Sequence, residues 1–239
     1  MKTLDLTLLT PQENLACDEA LLDLCEDGFG HEILRFWEPR KPFVVLGYSN
    51  KMRREINEVS CRRRQIPVLR RASGGGTVLQ GPGCLNFTLI LKIAGHPALK
   101  SITRTNAFVL ERHEAALRPL LGPDVRARGT SDLTLGDLKF SGNAQRRKRH
   151  FVLFHGTFLL DFNLKLMEDI LLHPPAEPDY RKKRAHGNFV TNVKTSAKAI
   201  KVALKKTWNA NGKLEDIPKD KIEALVREKY SKDEWNLKY

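Results

Sequence analysis

Long apolar runs are missing from this 239-residue sequence. Nothing approaches the roughly 18 consecutive apolar residues of a membrane-spanning helix, so a soluble protein with no membrane partner is expected. Cysteine is scarce as well. Cys17, Cys25, Cys61 and Cys84 are the only four, and none of them forms a CxxC pair. The opening "MKTLDLTLLT" has Asp5 inside its only apolar stretch, which is not the pattern of a secretory signal. Reduced thiols in a cytoplasmic protein are therefore expected. Aromatics make up only 8% of the chain. The basic runs "CRRRQ" (61–65), "QRRKRH" (145–150) and "YRKKRAH" (180–186) lack the interleaved aromatics of single-strand binders, and no zinc-finger or basic-zipper spacing accompanies them. No nucleic acid partner is expected. There is no internal repeat and no low-complexity tail.

What is present is a core and a charge. With 41% hydrophobic residues the chain can bury a substantial interior without disulfides, and 41 Lys+Arg against 28 Asp+Glu leave a formal charge of +13. Such a field attracts polyanions, either an acidic protein or a nucleotide triphosphate.

The segment "RRASGGGTVLQGPGCLNFTLIL", Arg70 to Leu91, sets two arginines and three consecutive glycines ahead of an apolar run. Bare backbone at Gly74, Gly75 and Gly76 lets N–H groups converge on an anion, while Arg70, Arg71 and Ser73 supply further donors. Consecutive glycines also serve plain loops, so the segment alone leaves both readings open.

Elsewhere the periodicities alternate. Residues 14–26 read as an amphipathic helix capped by Asn14; "ILRFWE" and "FVVLGYSN" read as strands, and "EINEVSCRRRQ" as a helix feeding the strand "PVLRR". "TVLQ" and "LNFTLILKI" flank the turn residues "GPG" and read as a hairpin. A helix over 103–121 closes on Gly122, "SDLTLGDLKFSGNAQ" reads as strand, Gly-Asp turn, strand, and "HFVLFHGTFLLDF" as a buried strand. Helices follow around "LKLMEDILL", "SAKAIKVALKKTW" and "KDKIEALVREKY", the last two separated from the first by a Pro- and Lys/Arg-rich connection at 173–187. One α+β domain over residues 1–239 is expected, with mixed β-sheets and flanking helices.

Taken in order, "RRASGGG", "LKFSGNAQ" and "HGTFLLD" resemble the motifs of the lipoate-protein ligase family, within the wider group of lipoate and biotin protein ligases and octanoyltransferases. The similarity extends to "ENLACDEALL", "RFWEPRKPFVVLGYSN", "GDLKFSGNAQR" and the terminal "KYSKDEWN". It implies a biotin/lipoate ligase-like catalytic domain that uses ATP and Mg²⁺ to activate lipoate or octanoate as an acyl-adenylate. The acyl group then passes to a lysine of a lipoyl carrier domain, either the glycine cleavage H protein or the E2 chain of a 2-oxoacid dehydrogenase. By that resemblance Lys139 is the catalytic lysine, touching both the lipoate carboxylate and the adenylate phosphate. Arg71, Gly76, Thr77, Val78 and Leu79 are implied to contact ATP. Arg70, Ser73, Gly74, Gly75, Asn86, Gly142, Asn143, Ala144, Gln145, His155 and Gly156 are implied to line the lipoyl chain. Asp132 is the candidate for helping to hold Mg²⁺, a cap or turn role being its plain alternative.

The chain departs from the better-known ligase pattern in places. Gln80 and Gly81 stand where many ligases have His-Asp, and Thr130 and Ser131 stand where Arg-Asn is frequent. The small C-terminal domain of many bacterial ligases is not expected here, and a separate accessory-domain protein is its possible substitute. Three rival readings accompany the resemblance. An ATP-independent octanoyltransferase needs a cysteine nucleophile beside the acyl slot, a biotin ligase needs its own arginine-and-glycine loop, and a non-enzymatic module would only bind an acyl-adenylate or nucleic acid. The runs at 146–150 and 181–184 are expected to face solvent, with docking of an acidic carrier domain as their functional alternative.

Overall fold

The computed structural model describes residues 1–239. Its strands in chain order are β1 (Lys2–Asp5), β2 (Ile33–Trp37), β3 (Phe43–Leu46), β4 (Val68–Arg70), β5 (Val78–Gln80), β6 (Cys84–Lys92), β7 (Val125–Arg128), β8 (Asp132–Leu135), β9 (Leu138–Arg147), β10 (Phe151–Leu159) and β11 (Gly212–Lys213). Its helices are α1 (Pro11–Leu24), α2 (Met52–Glu55), α3 (Glu58–Arg63), α4 (Ile102–Leu121), α5 (Leu164–Ile170), α6 (Ala197–Thr207), α7 (Lys219–Leu225) and α8 (Asp233–Asn236). The α+β class expected from the sequence is the one found.

The two strands with the longest apolar runs, β6 and β10, pair antiparallel at the centre of an eight-stranded mixed sheet ordered β11-β1-β2-β6-β10-β9-β8-β7. A three-stranded sheet, β4-β3-β5, lies apart from it. Alternation along the central strands decides what each face carries. Leu34, Phe36, Phe87, Leu89, Phe154 and Phe158 point to one face and form a continuous core with α4 and α6. The opposite face is divided. At one end Ile33, Ile90 and Leu153 pack with residues of α1 and α7. At the other end the same face carries Asn86, Thr88, His155 and Thr157, and this polar half is the floor of the site described below.

Two expectations from sequence are corrected here. The "GPG" turn does not close a hairpin, because β5 pairs with β3 in the small sheet while β6 enters the large one. Local turn chemistry reports a change of direction and not which sheet the next strand joins. The first helix begins at Pro11, with Thr10 as its cap in a reciprocal box with Glu13. Asn14, read as the cap, lies inside the helix and bonds instead to Leu8, Thr10 and Arg35.

The core under α4 holds one titratable group. His113 is fully buried, accepts a hydrogen bond from Trp208 Nε1 at 3.0 Å, and has its pKa pushed down to about 3 by burial. Its folded pKa lies below the unfolded one of about 6.5. The unfolded chain therefore takes up the proton first, and stability falls as pH drops below that value. His113→Gln keeps an acceptor for Trp208 and removes the titration. It is expected to flatten the decline between pH 6.5 and 4 by up to about 1.4 kcal/mol per pH unit, measured by urea unfolding at several pH values.

Candidate active site

Strand register places Trp37, Asn86, Thr157, Gly142 and Asp132 in one row on successive strands of the large sheet, and all but Trp37 are small or polar. The next row on the same face is Arg35, Thr88, His155 and Ala144. Elsewhere these strands fill their surfaces with Phe and Leu. Over this patch they leave a depression, covered by the segment that follows β4.

The depression is two adjoining cavities. A narrow one of about 140 Å³ has Leu15, Trp37, Val45, Val78 and Phe87 among its walls, with Arg71, Asn86, Asn143, Ala144, His155 and Gly156. A wider one of about 410 Å³ is bounded by Leu79, Asp132, Phe140 and the connection at 174–190. Gly76, Thr77, Val78, Lys139 and Gly142 line both. Lys139 therefore stands at the junction.

A β-bulge puts it there. Leu133 pairs with Ser141 and Thr134 with Lys139, so Phe140 is an extra residue on β9. The added residue shifts the alternation by one, which lets Phe140 point into the core while Lys139 and Gly142 share the cavity face. A Cβ at Gly142 would lie 2.9 Å from Lys139 Nζ, so this glycine makes room for the lysine. Lys139 Nζ sits 2.7 Å from Asp132 Oδ1, and Asp132 Oδ2 accepts from the Tyr180 hydroxyl at 2.7 Å. Burial, then the charge of Asp132, pushes the Tyr180 phenol well above its ordinary range, which keeps it a donor.

Both Asp132 oxygens are thus engaged, and no three His, Cys, Asp or Glu side chains converge anywhere in the chain. These residues form no cage for a resident metal, whereas a Mg²⁺ arriving with nucleotide phosphates takes only one or two carboxylates, for which Asp132 remains the candidate. In this structure Asp132 is the partner of the lysine.

Arg71 organises the glycine loop from beneath. Its Nη2 donates to the carbonyls of Gly74 and Gly76 at 2.6 and 2.7 Å, and its Nε donates to Ser73 Oγ at 3.0 Å. Burial lowers its pKa to about 10, which leaves it charged at neutral pH. Arg71 lines the narrow cavity but not the wide one.

The other members of the loop are placed differently from expectation. Arg70 faces away from both cavities: its Nη1 donates to the carbonyls of Gly47, Tyr48 and Asn50, and its backbone is bracketed by Trp235 and Asn236 of α8. It ties β4 to the chain's last helix. Gly74 and Gly75 are exposed and lie outside both cavity walls. Gly75 has φ +86°, and a Cβ there would meet Arg71 Nη2 at 3.0 Å and Ala144 Cβ at 3.3 Å. Its glycine serves the turn, and only Gly76 borders the cleft. Gly47, which the sequence did not single out, is needed as well, because a Cβ there would overlap the Gly75 carbonyl.

Ser73 closes a small recess behind the narrow cavity, where its Oγ lies 2.6 Å from His155 Nε2. His155 Nδ1 is 3.8 Å from Asp18 Oδ2, and Asp18 Oδ1 pairs with the fully buried Arg35 at 2.5 Å. Burial alone would raise the Asp18 carboxyl, but Arg35 and His155 outweigh it and hold the pKa below the ordinary value. Asp18 had a readable signal: it interrupts the apolar stripe of α1 between Leu15 and Leu22. Gln80 joins a closed group, donating to Thr157 Oγ1 at 3.2 Å and accepting from Asn86 Nδ2 at 3.0 Å. Gln145 does not line the cleft; its amide bonds to Ile102 and Asn106 of α4.

The basic runs are also more structured than expected. Arg146 donates to the Ala72 carbonyl, Arg147 to that of Leu99, and Lys148 pairs with Asp23. Arg181 is 5% exposed and lines the wide cavity, whereas Lys182 and Lys183 beside it are exposed. All four cysteines are buried, and none lines either cavity.

A cleft with a narrow lobe, a wide lobe and one ammonium between them suits a long molecule whose anionic centre sits at the junction. The chain belongs to the lipoyl protein ligase A/B catalytic domain family, whose model matches residues 10–208. It is 27% identical to the octanoyltransferase LipM of Geobacillus kaustophilus over 95% of this chain and 94% of that one. Among solved structures it resembles a bi-partite lipoate protein ligase of Thermoplasma acidophilum, described with its E2 lipoyl domain. The TM-score is 0.82 and the identity 26%, over 99% of this chain and 96% of that one. It also resembles a lipoate-protein ligase A bound with ATP, at TM-score 0.75 and 26% identity over 99% of each chain. The family contains enzymes of both kinds, ligases and acyltransferases. No helix here is long and apolar enough to cross a membrane.

Proposed function

We propose that this chain is a lipoate-protein ligase, which activates lipoate or octanoate with ATP and transfers the acyl group to a lysine of a lipoyl carrier domain. The observation that carries the reading is the lining of the cleft: a lysine at the junction of two lobes, and no thiol on either wall. An ATP-independent octanoyltransferase of the same family works through a cysteine, and a nucleophilic thiol needs a lowered pKa and access. Here burial pushes Cys17 up to about 11 and Cys84 up to about 12. That is the reverse of activation.

In this reading the acyl chain occupies the narrow lobe against Leu15, Trp37, Val45 and Val78, and ATP supplies the leaving group from the wide lobe. A carboxylate oxygen bonds to the α-phosphorus as pyrophosphate leaves; the carrier's amine then bonds to the acyl carbon, AMP leaves, and the amine gives up a proton. Lys139 offsets the negative charge gathered where the carboxylate and the phosphate meet. Arg71 holds the glycine loop in the shape that leaves Gly76 and Thr77 on the wall of both lobes. A separate accessory-domain protein belongs to the same proposal, since the Thermoplasma relative is bi-partite.

The test is lipoate-dependent exchange of labelled pyrophosphate into ATP, with carrier acylation followed in parallel. Exchange should occur, and changing all four cysteines to alanine should leave acylation within about twofold of the parent, since the buried thiols act as small hydrophobes. Acylation that needs no ATP and stops in a single Cys84→Ser variant would establish the octanoyltransferase reading instead, which the similarity to LipM favours.

A further inference from the structure

The wide cavity holds two ion pairs. On the sheet side Lys139 is paired with Asp132 at 2.7 Å. On the facing connection Arg181 Nε lies 3.4 Å from Glu177 Oε2, a charge contact too long for a good hydrogen bond. Lys139 has a carboxylate of its own, whereas Glu177 Oε2 is shared between Arg181 and His173 Nε2, which lies 3.0 Å from it. The two pairs differ in a second respect: Arg181 Nη2 is buried and has no partner at all. A guanidinium nitrogen left unpaired in a side chain only 6% exposed is costly unless a ligand supplies the acceptor.

The surroundings fix Arg181 for such a ligand. Its guanidinium lies over the Phe189 ring at 4.8 Å, and its Nε also donates to the Arg184 carbonyl at 3.0 Å. Tyr180, the preceding residue, is pinned to Asp132, and the Arg128 guanidinium stacks on its ring at 4.8 Å. His186 lines the same cavity, held neutral at physiological pH by burial, which lowers its pKa to about 4. An arginine fork held in place in this way matches the oxygens of a phosphate chain.

We infer that Arg181 reads a polyphosphate chain in the wide cavity and that Glu177 masks it until that anion arrives. The inference deepens the ligase reading and rests on it for the identity of the anion as a nucleotide's phosphates. The masking makes an unusual demand: removing the carboxylate's charge should improve binding. Removing a negative charge from the cavity wall also favours a polyanion through the general field, so the gain supports masking only where it is lost in the Glu177→Gln, Arg181→Gln double variant.

Calorimetric titration with inorganic tripolyphosphate tests it without any turnover. Arg181→Gln is expected to weaken binding by at least about tenfold, the scale of one lost charge-assisted hydrogen bond. Glu177→Gln, which still offers an oxygen to the Lys183 backbone N–H, is expected to tighten it by roughly threefold or more, as relief of a competing surface charge allows. Lys182→Gln with Lys183→Gln should leave it within about twofold, since both side chains are exposed and outside the cavity lining. No saturable binding by the parent protein, unchanged affinity in Arg181→Gln, or weaker binding in Glu177→Gln would each overturn the inference. If Arg181→Gln does not fold, Arg181→Lys, which keeps the charge and loses the fork, takes its place in the same comparison. Tripolyphosphate binding without pyrophosphate exchange would sink the ligase reading and leave this site standing. Exchange with an Arg181→Gln variant of unaltered affinity would do the opposite.

Discussion

Lys139→Ala is expected to lower acyl-adenylate formation by about 10²- to 10³-fold, the usual consequence of removing one group aimed at developing charge. The structure adds a complication that a single variant would hide. Loss of the ammonium leaves Asp132, 5% exposed, with only the Tyr180 hydroxyl to bond it. A buried carboxylate stripped of its cation costs about 1–3 kcal/mol or more, so the melting temperature should fall along with the activity. Lys139→Ala combined with Asp132→Asn removes the stranded charge. It should recover most of the lost stability and none of the adenylation, measured by thermal unfolding beside pyrophosphate exchange. Recovery of both would mean that the lysine only neutralises Asp132. Adenylation by Lys139→Ala alone near the parent rate would end its assignment as the catalytic group.

Much of this site was legible because the sequence carries it on regular strands. The resemblance pointed to Gly142, Asn143, Ala144, His155 and Gly156, and once β9 and β10 are paired the alternation puts Gly142, Ala144 and His155 on the cleft face while Asn143 and Gly156, one residue out of phase, border it. What was not legible depends on contacts remote in the chain. Arg70 and Arg71 are adjacent and identical in type, yet one is spent on carbonyls at 47–50 and on α8, and only the other reaches the glycine loop. The bulge at Phe140 has no glycine to announce it. Nor does local turn chemistry reveal that the chain changes sheets at "GPG". The wide cavity's far wall lies in a connection with no periodicity to read, so Glu177, Arg181 and His186 became visible only when that segment was seen folded against β8 and β9.

The other large effect is expected at Arg35, far from any transferred atom. Arg35 is fully buried and supplies Asp18 with its cation, donates to the Asn14 carbonyl and amide oxygens, and reaches the Leu6 carbonyl. Arg35→Leu preserves much of the apolar volume but leaves Asp18 buried beside His155 without its main counter-charge. Breaking a buried pair from one side costs about 3–5 kcal/mol, which for a chain of this length is a drop of roughly 6–20 °C in melting temperature. The sign of the pH dependence follows from Asp18. Its pKa is held low in the folded protein, so the pair stabilises above the unfolded carboxyl's value of about 3.9 and this support fades as pH falls through the folded value. In Arg35→Leu the carboxyl keeps its burial and loses the cation, so its pKa should rise and the variant should lose less stability than the parent on acidification. Adding Asp18→Asn removes the stranded charge and should restore much of the deficit at neutral pH. Urea unfolding of the two variants and the parent at pH 7 and pH 4 reads all three effects. An Arg35→Leu deficit under about 1 kcal/mol would place the pair with exposed ion pairs in its energetics. It would then contribute little to holding α1, and with it Asp18 and Leu15, over the narrow end of the cleft.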